Sequence, residues 1–204
     1  MRIKLHPDNP QPRNLEAIVK VLENDGVIIY PTDTIYGLGC DIHSAKAIEK
    51  ICLIKGIQPS RAQFSFICND LSHLSKYTRS IGTPLYRTLK ATLPGPFTYI
   101  LPASREVPKI LKSKRNTIGL RVPDNKIAIA IVEALGRPIL STSLPPAEGI
   151  EYTDPEEIHE HFHKVVDLVV DGGPGGLTPS TVIDYTGNEP LILRQGAGVF
   201  ENYQ

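Results

Sequence analysis

Between Tyr30 and Gly39 the chain reads Tyr30-Pro31-Thr32-Asp33-Thr34-Ile35-Tyr36-Gly37-Leu38-Gly39, a concentration of hydroxyls with one carboxylate and two glycines. Hydroxyls and exposed backbone N–H groups can hold a small polar molecule, and glycine lets backbone approach it closely. The competing reading is an ordinary turn in which Thr and Asp bond to their own backbone. Gly172-Gly173-Pro174-Gly175-Gly176 follows an apolar run. It lacks the Gly-Lys-Ser/Thr of a phosphate loop and contains a proline, so it predicts a flexible connection. His159 and His163 fall at i, i+4 on a stretch made acidic by Glu156, Glu157 and Glu160. No third ligand accompanies them, so a solvated helix without metal is expected. Cys40, Cys52 and Cys68 are odd in number and lack metal-ligand spacing. They predict neither a disulfide framework nor a zinc site, but small core residues in a reducing cytoplasm.

The elements that must position these groups alternate. Leu15, Ile18, Val19 and Leu22 follow a helical stripe that Gly26 ends, and Val27 to Tyr30 is a buried strand that opens at Pro31. Ligands of open α/β sheets sit just beyond such strands. Ser44 is placed to cap a second helix with Ala47, Ile48, Ile51 and Cys52 facing inward and Gly56 closing it. Phe64–Cys68, Phe97–Leu101, Thr117–Val122 and Pro138–Ser141 read as strands, with helices over Pro84–Leu93 and Ile127–Leu135. Asp154-Pro155-Glu156-Glu157 starts a last helix, because proline suits the first helical position and acids its dipole. Val165–Val170, Ser180–Tyr185 and Leu191–Arg194 complete the strands. The alternation predicts one α/β domain over residues 1–204 with a twisted, mixed and largely antiparallel sheet flanked by helices.

The loop at Pro31 resembles the P-T-x-T-x-Y-G-L signature of the YrdC/YciO family of threonylcarbamoyl-AMP synthases and their relatives. Further matching segments follow in family order: Pro94-Gly95-Pro96-Phe97-Thr98, Ile118-Gly119-Leu120-Arg121-Val122-Pro123, Ser141-Thr142-Ser143, Ser180-Thr181-Val182-Ile183-Asp184 and Leu193-Arg194-Gln195-Gly196. The resemblance implies a basic concave groove in which L-threonine, bicarbonate and Mg-ATP become threonylcarbamoyl-AMP and pyrophosphate, for a tRNA modification. It implies threonine contacts at Thr32, Ser180 and Thr181, with Arg121 pairing the amino-acid carboxylate, a task a planar guanidinium suits. Nucleotide contacts fall by the same resemblance on Lys55, Ser141, Ser143 and Arg194.

Two positions depart from the family's K-x-R and S-x-N set. Ile57 stands at the arginine position and Pro145 at the asparagine position. The first loses a charge and five donors, and the second loses a donor and stiffens the loop. The pattern resembles the YciO branch, and it implies weakened triphosphate binding and reduced synthase activity. Arg61 is near enough in sequence to reach back toward the site.

The 22 Lys/Arg balance 22 Asp/Glu overall but not locally. Residues 1–126 hold 19 basic against 10 acidic residues, while 127–204 hold 3 against 12. Between Lys76 and Arg121 ten basic residues meet one acid, Glu106. Such a run predicts a surface for a polyanion, tRNA or double-stranded RNA, with Lys109, Lys112, Lys114 and Arg115 as contacts. A solvated basic face is the competing reading. An RNA-binding protein without efficient synthesis, or an enzyme for another acyl-adenylate or nucleotide, are the alternatives in function. With 41% hydrophobic residues, no apolar run near 18 residues and no apolar core behind the basic N-terminus, a soluble cytoplasmic protein without membrane partner or secretory signal is expected.

Overall fold

Alternation along the strands decides which helices cover which face. In the computed structural model, which describes residues 1–59, 62–111, 116–147, 150–187 and 189–201, ten strands form one mixed sheet. They are β1 (Arg2–Lys4), β2 (Ile28–Tyr30), β3 (Gly37–Asp41), β4 (Ser65–Ile67), β5 (Phe97–Pro102), β6 (Thr117–Arg121), β7 (Ile139–Ser143), β8 (Leu168–Asp171), β9 (Thr181–Asp184) and β10 (Leu191–Arg194). Their order across the sheet is β1-β8-β2-β3-β7-β4-β6-β5-β9-β10. β1–β8, β2–β8, β4–β6 and β5–β9 pair in parallel, and the other five ladders are antiparallel.

In β2, Ile29 points to one face while Ile28 and Tyr30 point to the other. Helices α2 (Ala45–Lys55), α3 (Leu71–Ser75), α4 (Thr83–Thr92) and α6 (Pro155–Phe162) cover the first face, burying Ile48, Ile51, Leu74, Leu89 and Ile158 against Ile29, Leu38 and Tyr99. Helices α1 (Pro12–Glu23) and α5 (Lys126–Leu135) cover the second, where Ile18, Leu22 and Ile131 meet Ile28, Tyr30 and Val170. Those two helices reach only part of that face. The rest, built from β3, β7, β4, β6, β5 and β9, forms a groove.

The local signals hold where the sequence placed them. Ser44 caps α2 by accepting from the Ala47 N–H at 3.0 Å. Gly56 and Gly136 close their helices in the left-handed conformation that favours glycine. Asp154 caps α6 with Pro155 in its first turn. The sheet and its flanking helices match the predicted class; β1, β3 and α3 were not foreseen. The Gly172–Gly176 segment is not the free connection its composition predicts. Its Gly176 N–H donates to Thr34 O at 2.8 Å and Tyr36 Oη donates to Gly173 O at 2.6 Å. A Cβ at Gly176 would stand 2.5 Å from Thr34 O, so the glycines permit close packing against the Thr32–Thr34 loop.

Candidate functional site

The groove has a volume of about 470 Å³ and brings together segments distant in the chain. Lys55, Arg121 and Arg194 line it, and no carboxylate does so among the described residues. Of the described basic residues between Lys76 and Arg121, only Arg121 is found in that lining. Lys109 sits exposed on a 3-10 turn (Lys109–Leu111), while Lys112, Lys114, Arg115 and Arg61 lie outside the described residues.

Arg121 ends β6, held by the β4–β6 ladder and by the Cys68 N–H, which donates to Arg121 O at 2.8 Å. Its guanidinium pairs with Asp33 and donates to Thr34 Oγ1 at 2.9 Å. Thr32 Oγ1 donates to Ile35 O at 2.7 Å and accepts from the Thr34 N–H at 3.1 Å. The Thr32 proton is therefore already used, so in the 3.1 Å contact between the two threonine hydroxyls it is Thr34 that donates. Thr32 reaches the groove with a saturated hydroxyl, and Arg121 reaches it with a counter-charge in place. Sequence reading placed Arg121 but assigned Asp33 no part, although the residue stands inside the loop it singled out.

On the opposite wall, Lys55 occupies the last turn of α2, which Gly56 closes in the left-handed conformation. Its Nζ donates to Ser143 O at 2.6 Å, with Ser143 Oγ at 3.4 Å, and burial lowers its pKa. Ile57 lines the groove just beyond; Pro145 is not part of that lining. On β7, Ser141 accepts from the fully buried Tyr30 Oη at 2.6 Å, and burial raises the Tyr30 phenol to about 12. The Ser141 proton is left for the groove. Gly37 and Gly39 of β3 explain why a glycine-rich stretch is strand and not turn. Cβ atoms there would stand 3.2 Å and 2.9 Å from the Tyr30 ring.

The third wall depends on a bulge. Ile192 pairs with Ile183 and Arg194 pairs with Val182, leaving Leu193 as the extra residue in β10. Without the bulge Ile192 and Arg194 would share a face; with it, Arg194 turns into the groove. Its Nε and Nη2 donate to Ser180 O at 3.0 and 2.8 Å, and Ser180 Oγ meets Thr98 Oγ1 at 2.9 Å. Burial and the neighbouring Arg121 lower the Arg194 pKa. Thr181 is not brought to the groove. It is fully buried, donating to Gly198 O at 2.6 Å and accepting from the Gly196 N–H at 2.9 Å, because alternation along β9 gives the groove to Ser180 and Val182.

Residues 20–196 match the Sua5/YciO/YrdC family model, whose description reads "Telomere recombination". The chain belongs to the Sua5/YciO/YrdC family. It is 46% identical over 196 residues to the uncharacterized YciO of Escherichia coli strain K12, covering 95% of this chain and 94% of that protein. It is 31% identical over 177 residues to a threonylcarbamoyl-AMP synthase of Halorhodospira halophila, covering 87% of this chain and 92% of the relative. The crystal structure of E. coli YciO superposes with a TM-score of 0.92 at 43% identity, over 100% of this chain and 99% of the other. P. abyssi Sua5 complexed with L-threonine superposes at 0.85 and 25% identity, over 96% of this chain but 57% of that one.

Within this Sua5/YciO/YrdC fold the groove gathers Thr32, Lys55, Arg121, Ser141, Ser143, Ser180 and Arg194 of the expected residues. The remaining features lie apart from it. His159 and His163 lie with their rings tilted and 5.7 Å between centroids at the end of α6, and the three cysteines are buried free thiols. No group of three or more His, Cys, Asp or Glu is placed to hold a metal ion among the described residues. No helix among them is long and apolar enough to cross a membrane.

Proposed function

We propose that the groove binds an L-threonine-like amino acid and ATP with magnesium, and makes threonylcarbamoyl-AMP and pyrophosphate slowly. The observation that carries this reading is the convergence of Lys55, Arg121 and Arg194, from three distant segments, on a groove that no carboxylate lines among the described residues. The neutral amine of threonine attacks carbon dioxide with loss of a proton, or bicarbonate with loss of water, and an oxygen of the resulting carbamate attacks the α-phosphorus with pyrophosphate leaving. Such chemistry needs positioning and neutralisation of phosphate charge more than a covalent nucleophile. Arg121 with the Thr32–Thr34 loop forms the amino-acid end, while Lys55, Ser141, Ser143 and Arg194 face the nucleotide. Ile57 puts an alkyl chain on the wall beside Lys55, which is the basis for the low rate.

Purified protein incubated with threonine, bicarbonate and Mg-ATP tests this. Threonylcarbamoyl-AMP and pyrophosphate, formed below the rate of a relative with the complete K-x-R and S-x-N set, are expected. Absence of product together with absence of threonine binding refutes it, and an equal rate refutes the reading of Ile57 and Pro145.

A second reading rests on the run of ten basic residues against one acid. A duplex RNA or tRNA would dock on the Lys109–Arg115 segment with affinity falling steeply in salt. Charge reversal at Lys109, Lys112 and Lys114 together should lower both affinity and salt slope; unchanged values remove the reading.

A further inference from the structure

The Asp33–Arg121 pair, which backs the groove at Arg121, leaves two buried polar atoms unsatisfied. Both side chains are over nine-tenths buried, yet Asp33 Oδ2 and Arg121 Nε have no hydrogen-bond partner among the described residues. A buried guanidinium and carboxylate are ordinarily stabilised by two parallel hydrogen bonds that use both oxygens. Here only one guanidinium nitrogen is engaged, on Asp33 Oδ1 and Thr34 Oγ1. An anionic acceptor and a cationic donor are thus left unmet in the layer just behind the groove surface, which Arg121 lines and Asp33 does not.

The charges at this corner cancel. A ligand carboxylate approaching it is attracted by Arg121 and repelled by Asp33, and an ammonium meets the reverse. A ligand carrying both charges on neighbouring atoms gains from each. Buried counter-charges of this kind select by penalising the wrong ligand as much as by attracting the right one. We propose that Asp33 is a specificity-determining residue that makes the Arg121 corner accept a zwitterionic α-amino acid and reject a carboxylate lacking the adjacent ammonium. The inference rests on the amino-acid reading of the groove and extends it. Thr34 completes the device, because its hydroxyl donates to Thr32 and so can only accept from Arg121.

Titration calorimetry with L-threonine and with 3-hydroxybutyrate, the same carbon chain without the ammonium, tests the proposal. Wild-type protein should bind threonine at least about tenfold more tightly than 3-hydroxybutyrate, and Asp33→Asn should erase that preference mainly by strengthening 3-hydroxybutyrate. Asp33→Glu, which keeps the charge, should keep the preference. Equal affinity of the wild type for both ligands overturns the proposal without recourse to any variant. So does an Asp33→Asn protein, folded by its thermal melt, that shifts both ligands by one factor, since a residue that merely holds Arg121 would do that. A wild type that binds neither ligand overturns the amino-acid reading itself, whereas threonine binding with unmoved selectivity overturns only the role of Asp33.

Discussion

Replacing Ser141 by Ala should cost more stability than replacing both Ser141 and its partner Tyr30. Tyr30 is fully buried and its phenol donates to Ser141 Oγ at 2.6 Å. Ser141→Ala strands that donor, and an unmet buried polar group costs about 1–3 kcal/mol. For a chain of this length each kcal/mol moves Tm by roughly 2–4 °C, so a fall of about 2–12 °C is expected. Tyr30→Phe removes the donor while Ser141 keeps access to groove water, so that single change should cost only about 0.5–1.5 kcal/mol. In the double variant neither polar partner remains, and stability should return most of the way toward wild type. Urea unfolding of the four proteins completes the cycle, with a coupling that exceeds the scatter of independent sites. A Ser141→Ala loss below about 0.5 kcal/mol would mean that groove water reaches the phenol, and a double variant as unstable as Ser141→Ala would mean that the phenol is not the stranded group.

Three further outcomes are expected. Gly39→Ala would put a Cβ 2.8 Å from Leu140 O and 2.9 Å from the Tyr30 ring. Spreading β3 from β7 should cost about 1–3 kcal/mol in chemical unfolding, and wild-type stability would contradict the close approach. Burial lowers the Lys55 pKa, so the charge that attracts phosphate is lost as pH rises through a value below the 10.5 of a free lysine. Pyrophosphate binding followed by calorimetry should therefore weaken before that pH, and Lys55→Ala should flatten the profile. Ile57→Arg with Pro145→Asn should raise any synthase rate, by up to about the 10² to 10³ that one transition-state donor is worth; an unchanged rate would show that these positions do not limit it.

Elements with a strong local signature were legible in the sequence. Helix α5, with Ile127, Ile131 and Leu135 on one stripe and Gly136 behind, needs little beyond its own residues. β3 was not legible, because Gly37, Gly39 and a single Leu38 carry little strand propensity. They pair only because Tyr30 and the β7 backbone occupy the space their side chains would fill. The site divides in the same way. Arg121 and Lys55 were placed by resemblance to the family's motifs, but that Arg121 is met by Asp33, or that Thr181 turns its back on the groove, follows from tertiary pairing. The direction of Arg194 depends on one extra residue in β10, which no periodicity announces.

The contact between the Thr32–Thr34 loop and the Gly172–Gly176 segment sets an order on how the site comes into being. The two are joined by the Gly176–Thr34 hydrogen bond and, just past the loop, across 137 residues by Tyr36 and Gly173, and β2 finds its parallel neighbour only in β8. At a synthesis rate of about 5–20 residues per second, the loop waits roughly 7–30 s on the ribosome before its clamp exists. During that interval Asp33 and Arg121 can meet, but nothing yet holds the loop from its other side. Binding competence is therefore acquired late, with Ser180 and Arg194 of the third wall following the clamp, and a nascent chain halted before Gly172 would carry the sequence motif without the pocket.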